Sequence, residues 1–186
     1  MREDLLDQYE IEREVEYRGE KYVVRDNGAV WRSSRPGQRR RPLDDDWTFG
    51  RPDDYTGYMH LGTNIVHRIV ALAFHERPSE QHVVDHIDTN RRNNRADNLR
   101  WVTRLENLLL NPITRARIAR AYGSLEAFFK DPSAIVGRDP DFSWMRTVSK
   151  KEAEESRTRL LGWTASDVAP KGGQLGEWIY GLGVPP

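Results

Sequence analysis

The apolar positions of this chain change period several times, and each change marks an element. Tyr22, Val23 and Val24 lead into Asp26-Asn27-Gly28, and Ala29, Val30 and Trp31 lead out. Two short β-type runs around that turn signature predict a β-hairpin. SSRPGQRRRP follows at 33–42 and predicts an exposed loop, and residues 43–57 are turn-rich and acidic. YMHLGT at 58–63 predicts a short strand. In VHRIVALAFH the period becomes helical: Val66, Ile69, Val70, Ala73 and Phe74 fall on one stripe. Asn64 is placed to cap that helix, and Arg77-Pro78 ends it.

The period returns to a strand in HVVDHI at 82–87. DTNRRNNRADN has turn composition, and LRWV at 99–102 reads as the return strand. Thr103 with Glu106 forms a capping-box signature for a helix through RLENLLLN, stopping near Asn111-Pro112. The order is strand, loop, strand, helix: a ββα unit. Beyond Pro112, ITRARIARAY and SLEAFF predict a helix or helix pair, and DPSAIVGRDPDF a loop. SKKEAEESRTRLLGW predicts a further helix with Ser149 and Glu152 as a capping box, and KGGQLGEWIYGLGVPP two Gly-rich turns. Trp163 and Trp178 read as core residues rather than stacking platforms. No internal repeat is visible.

Composition narrows the class. A chain of 186 residues suits one domain, or a small domain with an extension. Six Trp and seven Tyr argue against wholesale disorder. No apolar run reaches the roughly 18 residues of a membrane helix. MREDLLDQYEIERE lacks the apolar centre of a secretory signal. The absence of cysteine excludes disulfides and Cys-ligated zinc. Together these lead to the expectation of an intracellular, cytoplasmic protein without a membrane partner.

The net charge of zero conceals segregation. The first twenty residues are acidic, whereas Arg32, Arg35, Arg39, Arg40 and Arg41 form one basic block and Arg91, Arg92, Arg95, Arg100 and Arg104 another. Local field governs phosphate binding more than total charge does, and arginine suits planar recognition of phosphate. Each block alone is also compatible with an ordinary solvated surface.

The stretch from His82 to Asn107 holds the candidate chemistry. A neutral imidazole, with an ordinary pKa near ~6.5, accepts a proton from water at neutral pH, which suits His86 to general-base work. Phosphodiester hydrolysis also needs charge neutralised on the phosphate and leaving oxygen, which a hard divalent ion on oxygen ligands does well. Asp85 supplies an anionic oxygen, and an Asn side chain on the helix a neutral one. Singly, each residue has a plain alternative: Asp85 starts a turn, His86 satisfies a carbonyl, and Asn93, Asn94 and Asn98 are turn formers. His67, beside the apolar stripe, reads as structural or phosphate-contacting rather than catalytic.

The spacing separates these readings. Asn98 lies twelve residues after His86, and Asn107 nine further on. With VHRIVALAF, VVDHIDTNRRNN and DNLRWVT, this pattern resembles the HNH nuclease family in its homing-endonuclease-like, cysteine-free form, across about residues 58–111. YVVRDNGAVWR and GYMHL resemble the small N-terminal module that accompanies such nucleases.

The resemblance implies an α+β fold: a ββα-metal core at 58–111, an N-terminal β-hairpin module at 1–57 with DNA contacts, and a mostly helical extension at 112–186. It implies that Asp85 and Asn107 are metal ligands for Mg2+ or Mn2+, with no zinc expected. His86 becomes the general base, and Asn98 a brace whose amide bonds backbone to hold the His-bearing strand. The expected partner is double-stranded DNA met at the minor groove, with a homodimer possible, and the expected products are 5′-phosphate and 3′-hydroxyl ends. Restriction, homing and phage enzymes all share the motif. Arg32, Arg35, Arg39, Arg40 and Arg41 are expected to touch DNA, as are Arg91, Arg92 and Arg95, although the last three are equally compatible with surface charge. Asn107 stands where the family name has His, a variant known in the homing-like branch, and Thr89 stands where Gly is usual. The alternative readings are a DNA-binding module that has lost cleavage and a structural adaptor.

Overall fold

The structure is a computed structural model that describes residues 5–134, 145 and 147–165. The fold is α+β. It divides into two compact units, the first ending at Trp101 and the second starting at Val102. Within the first unit, Tyr22, Val24 and Val30 of the N-terminal sheet share one core with Met59, Leu61, Val66, Ile69, Val70 and Leu99.

In the first unit, β1 (Glu12–Tyr17), β2 (Glu20–Arg25) and β3 (Val30–Arg32) form an antiparallel sheet in the order β1-β2-β3. The predicted hairpin is β2–β3, and β1 extends it. Arg18 and Gly19, at φ 54° and 72°, make the two-residue turn from β1 to β2. Positive φ at both positions matches the twist of the flanking strands. β1 is legible once its alternation is seen: Val15 and Tyr17 pack on the core, while Glu12, Glu14 and Glu16 are exposed.

A second sheet joins β4 (Arg51–Pro52), β5 (Met59–Leu61) and β6 (Asn64–Ile65). Helix α1 (Val66–Phe74) follows directly and buries Val66, Ile69 and Val70 completely. Burial of side chains of that size contributes roughly 1.5–3 kcal/mol each. Asn64 does not cap this helix, whose N-cap is Ile65 without a side-chain bond. The Asn64 amide is taken elsewhere, donating to the Tyr22 hydroxyl at 2.8 Å and accepting from Arg18. β7 (Val83–His86) pairs with β8 (Leu99–Val102), and a 3-10 turn (Ala96–Asn98) leads into β8.

In the second unit, α2 (Arg104–Leu110) starts with the predicted capping box, both Thr103–Glu106 bonds being present. α3 (Pro112–Tyr122) begins with Pro at its first turn, and Gly123 at φ 81° separates it from α4 (Leu125–Lys130), so the predicted helix pair is two short helices. α5 (Lys150–Thr164) is capped by Ser149, whose hydroxyl accepts from the Glu152 amide. Leu105, Leu109, Ile118, Phe128, Phe129 and Met145 make this unit's core. Trp163 is half-buried on α5. Trp178, the C-terminal Gly-rich turns and most of the loop after Ala134 lie outside the described residues. Among the described residues no helix is long and apolar enough to cross a membrane.

Candidate active site

His86 ends β7 and is 5% exposed. Its Nε2 lies 3.0 Å from Oδ1 of Asn94, across the loop between β7 and β8. An amide oxygen only accepts, so Nε2 is the protonated nitrogen and Nδ1 keeps its lone pair. Burial pushes the His86 pKa down, against the opposing pull of Asn94, Asp85 and Asp88. The ring is therefore neutral at neutral pH, the form a general base requires.

Two aromatic rings fix the other faces of His86. His67 from α1 meets it edge-on at 4.9 Å between centroids, and Tyr58, just before β5, lies 4.8 Å from His67 and 6.0 Å from His86. Arg91 sits over the Tyr58 ring at 5.0 Å and donates to the Thr56 carbonyl at 2.8 Å. His67 is 3% exposed. Burial, with the nearby His86 adding to it, pushes its pKa down to about 2.

This has a consequence for stability. The unfolded chain protonates His67 below about pH 6.5, and the folded chain does not. Its share of stability is full above that pH and is lost as pH falls, at a slope approaching about 1.4 kcal/mol per pH unit. Urea unfolding should therefore show a loss of about 2 kcal/mol from this group between neutral pH and about pH 5. His67→Phe should remove that share, and an unaltered pH slope in the variant would exclude this origin.

The loop is held by a polar network centred on Asp88. Asn98, fully buried, accepts from the Asp88 amide at 3.1 Å and donates to Asp88 Oδ1 and to the Asn93 carbonyl, both at 2.9 Å. Its own carbonyl accepts from Ile87 N at 2.9 Å. Asn93 donates to Asp88 Oδ2 at 2.7 Å. Thr89 takes φ 64°, the left-handed conformation for which glycine is the usual residue, and its amide returns to the His86 carbonyl at 2.9 Å. The tip of the β2–β3 hairpin presses on the same loop. A Cβ on Gly28, at φ 91°, would sit 2.7 Å from the Asn94 carbonyl oxygen, so only glycine fits there. Asp26 accepts from the Ala96 amide at 2.8 Å. The N-terminal sheet thus braces the segment that carries Asn94.

Asp85 lies next to His86 and is gripped at Oδ2 by Arg100, with Nε and Nη2 each at 2.9 Å. That grip fixes the plane of the carboxylate. Asn107 is exposed on α2 and belongs to the second unit. Each side chain offers a hard oxygen donor of the kind that Mg2+ or Mn2+ takes. No group of three or more His, Cys, Asp or Glu converges among the described residues.

The arginine blocks divide. Arg32 is largely buried: it is 4% exposed and tied to the buried Asp44 at 2.6 Å. A buried guanidinium needs that carboxylate, and the partners absorb it into the fold. Arg41 also binds Asp44 and Glu20, Arg35 binds Glu20, and Arg40 binds Asp45 and Asp46. Arg39 is exposed. Arg91 is exposed, Arg92 half-buried, and Arg95 lies 3.3 Å from Asp97.

In the sequence Asn94 reads only as a turn former, like Asn93 and Asn98. The signal available was slight: a repeated Asn in a loop, one of which is committed to Asp88 and the other to His86.

Comparison with known proteins follows the same stretch of chain. The family model described as HNH endonuclease matches residues 64–109. An uncharacterized HNH endonuclease of Acanthamoeba polyphaga mimivirus is 33% identical over 103 residues, which is 52% of this chain and 29% of the relative. The DNA endonuclease I-HmuI of Bacillus phage SP01 is 40% identical over 93 residues, which is 46% of this chain and 53% of the relative. This chain thus matches about a third to a half of the length of these relatives. A solved structure described as DNA binding and cleavage by the HNH homing endonuclease I-HmuI aligns with 59% of this chain and 67% of that one, at 28% identity and a TM-score of 0.37.

Proposed function

The segment 64–109 belongs to the HNH endonuclease family, and from that premise we propose that this chain is a metal-dependent DNA endonuclease leaving 5′-phosphate and 3′-hydroxyl ends. The observation that carries the proposal is the His86–Asn94 bond, which leaves Nδ1 of a buried neutral imidazole as the base. The relative I-HmuI, named a DNA endonuclease, supports DNA as the substrate.

His86 accepts the proton of the attacking water at Nδ1. Asn94 keeps the ring from rotating and holds the proton on Nε2. His67 and Tyr58 exclude water from the ring faces and limit the ring to one orientation. Asn98 and Asp88 set the path of the loop, so that β7 presents Asp85 and His86 at its end. Asp85 and Asn107 are the ligands that the family pattern assigns to Mg2+ or Mn2+. That ion would neutralise charge on the scissile phosphate and on the leaving 3′ oxygen. The exposure of Arg91, beside Tyr58, and of Arg39 supports contacts from them to backbone phosphates.

Supercoiled plasmid incubated with the chain and magnesium tests the proposal. Nicked or linear product that DNA ligase reseals directly is expected, and none in EDTA. Ends that ligase rejects until the 3′-phosphate is removed and the 5′-hydroxyl is phosphorylated would contradict the assigned product chemistry.

A further inference from the structure

A cavity of about 540 Å³ opens in the first unit, lined by Arg18, Arg32, Arg35, Arg41, Arg51 and Glu20. Arg32, Arg35 and Arg41 converge on Glu20, and Arg32 and Arg41 also share Asp44, whose side chain is fully buried. Arg18 and Arg51 form no ion pair among the described residues; Arg18 donates to Asn64 Oδ1 at 3.4 Å. Five guanidiniums against two carboxylates leave three positive charges uncompensated around one cavity.

Glu20 organises this cluster. Burial raises its pKa, but hydrogen bonds from Arg41, Arg35 and Tyr22 outweigh burial and hold it at about 2. It stays ionised and fixes the orientation of the guanidiniums around it. His60 also lines the cavity, and its Nε2 is buried with no hydrogen-bond partner. Guanidiniums only donate, so the matching ligand is an acceptor-rich anion, and their planar fork matches phosphate oxygens.

We propose that this cavity binds a backbone phosphate of the DNA strand, distinct from the phosphate that is cut. This rests on the endonuclease reading and adds a second anchoring point to it. Position favours a strand phosphate over a free one. Tyr58, beside His86, and His60, in the cavity wall, lie two residues apart. Alternate residues of an extended strand face one side at a spacing of about 7 Å. The cavity therefore lies on the β5 side of Tyr58 and the histidine cluster, where a duplex held at His86 would offer it a neighbouring phosphate.

The test uses the full chain and a fluorescent duplex, with EDTA present to prevent cleavage and salt varied from roughly 50 to 200 mM. Arg18→Ala with Arg51→Ala removes two exposed side chains that carry no ion pair, so folding is preserved, as circular dichroism will show. The double variant should bind about tenfold more weakly at ~0.15 M salt, with a salt slope flatter by about 1–2. The loss should be equal for duplexes of unrelated sequence, because a phosphate contact reads no bases. Arg51→Glu should weaken binding further. Unchanged affinity and salt slope in the double variant would overturn the proposal. So would inorganic phosphate shifting the His60 ring resonances while duplex affinity stays unchanged, since the cavity would then hold a free phosphate. If the wild-type chain binds no duplex at all, the endonuclease reading fails and the strand assignment with it, a pattern distinct from failure of the cavity alone.

Discussion

His86→Ala should lower the single-turnover rate of DNA cleavage by about 10²–10⁴-fold while duplex binding persists. The size follows from the role. A positioned base removes a proton as the oxygen–phosphorus bond forms, and no neighbouring group replaces it. His67, whose ring lies 4.9 Å away between centroids, is 3% exposed and its Nδ1 is buried without a hydrogen-bond partner, so it does not reach the attacking water. Asp85 is gripped by Arg100. Alanine leaves a void against Tyr58 and His67, so stability will fall as well. The control is duplex affinity measured in EDTA, which reports a folded binding surface independently of chemistry. A rate within about threefold of wild type would remove His86 from the role of base.

Asn98→Ala should destabilise the chain by about 3–5 kcal/mol. Three hydrogen bonds disappear together: from the Asp88 amide, to Asp88 Oδ1 and to the Asn93 carbonyl. The residue is fully buried, and so is the bond to the Asn93 carbonyl, while those to Asp88 are partly buried. Each stranded buried group costs roughly 1–3 kcal/mol. Cleavage should fall in parallel, because the loop whose path Asn98 sets carries Asn94 to His86. Asn98→Asp distinguishes a brace from a simple filler: it keeps shape and one acceptor but loses the donor to Asp88 and sets two carboxylates together, so it should be no more stable than alanine. A urea midpoint within experimental scatter of wild type for either variant would exclude the bracing role.

Most elements were legible because they obey periods. The stripe of Val66, Ile69 and Val70 gives α1, Thr103 with Glu106 gives the start of α2, and Asp26-Asn27-Gly28 gives the β2–β3 turn. β1 was harder because its outward residues are all Glu, and a run of acid hides an alternation with only Val15 and Tyr17 inside. The cap assigned to Asn64 failed for a tertiary reason, since the Tyr22 hydroxyl and Arg18 compete for the same amide. The burial of Arg32 was hidden for a similar reason: a basic run in sequence gives no sign that Asp44, twelve residues on, folds back onto one member. Asn94 was invisible because hydrogen bonds within a loop follow no period. Only the closed path of the loop, pinned by Asn98 and by the close approach of Gly28, brings it to His86. What periodicity does not reach is thus the polar network that sets the histidine, and spacing alone located only its ends.

The most direct measurement is the loss of supercoiled plasmid with time, for the wild-type chain in magnesium and in EDTA. Conversion to nicked or linear DNA in magnesium, abolished by EDTA and restored by added magnesium, is expected. Plasmid and phage DNAs that stay intact with magnesium and manganese, under conditions where the chain binds duplex, would contradict it. The chain would then be a DNA-binding module built on a nuclease fold.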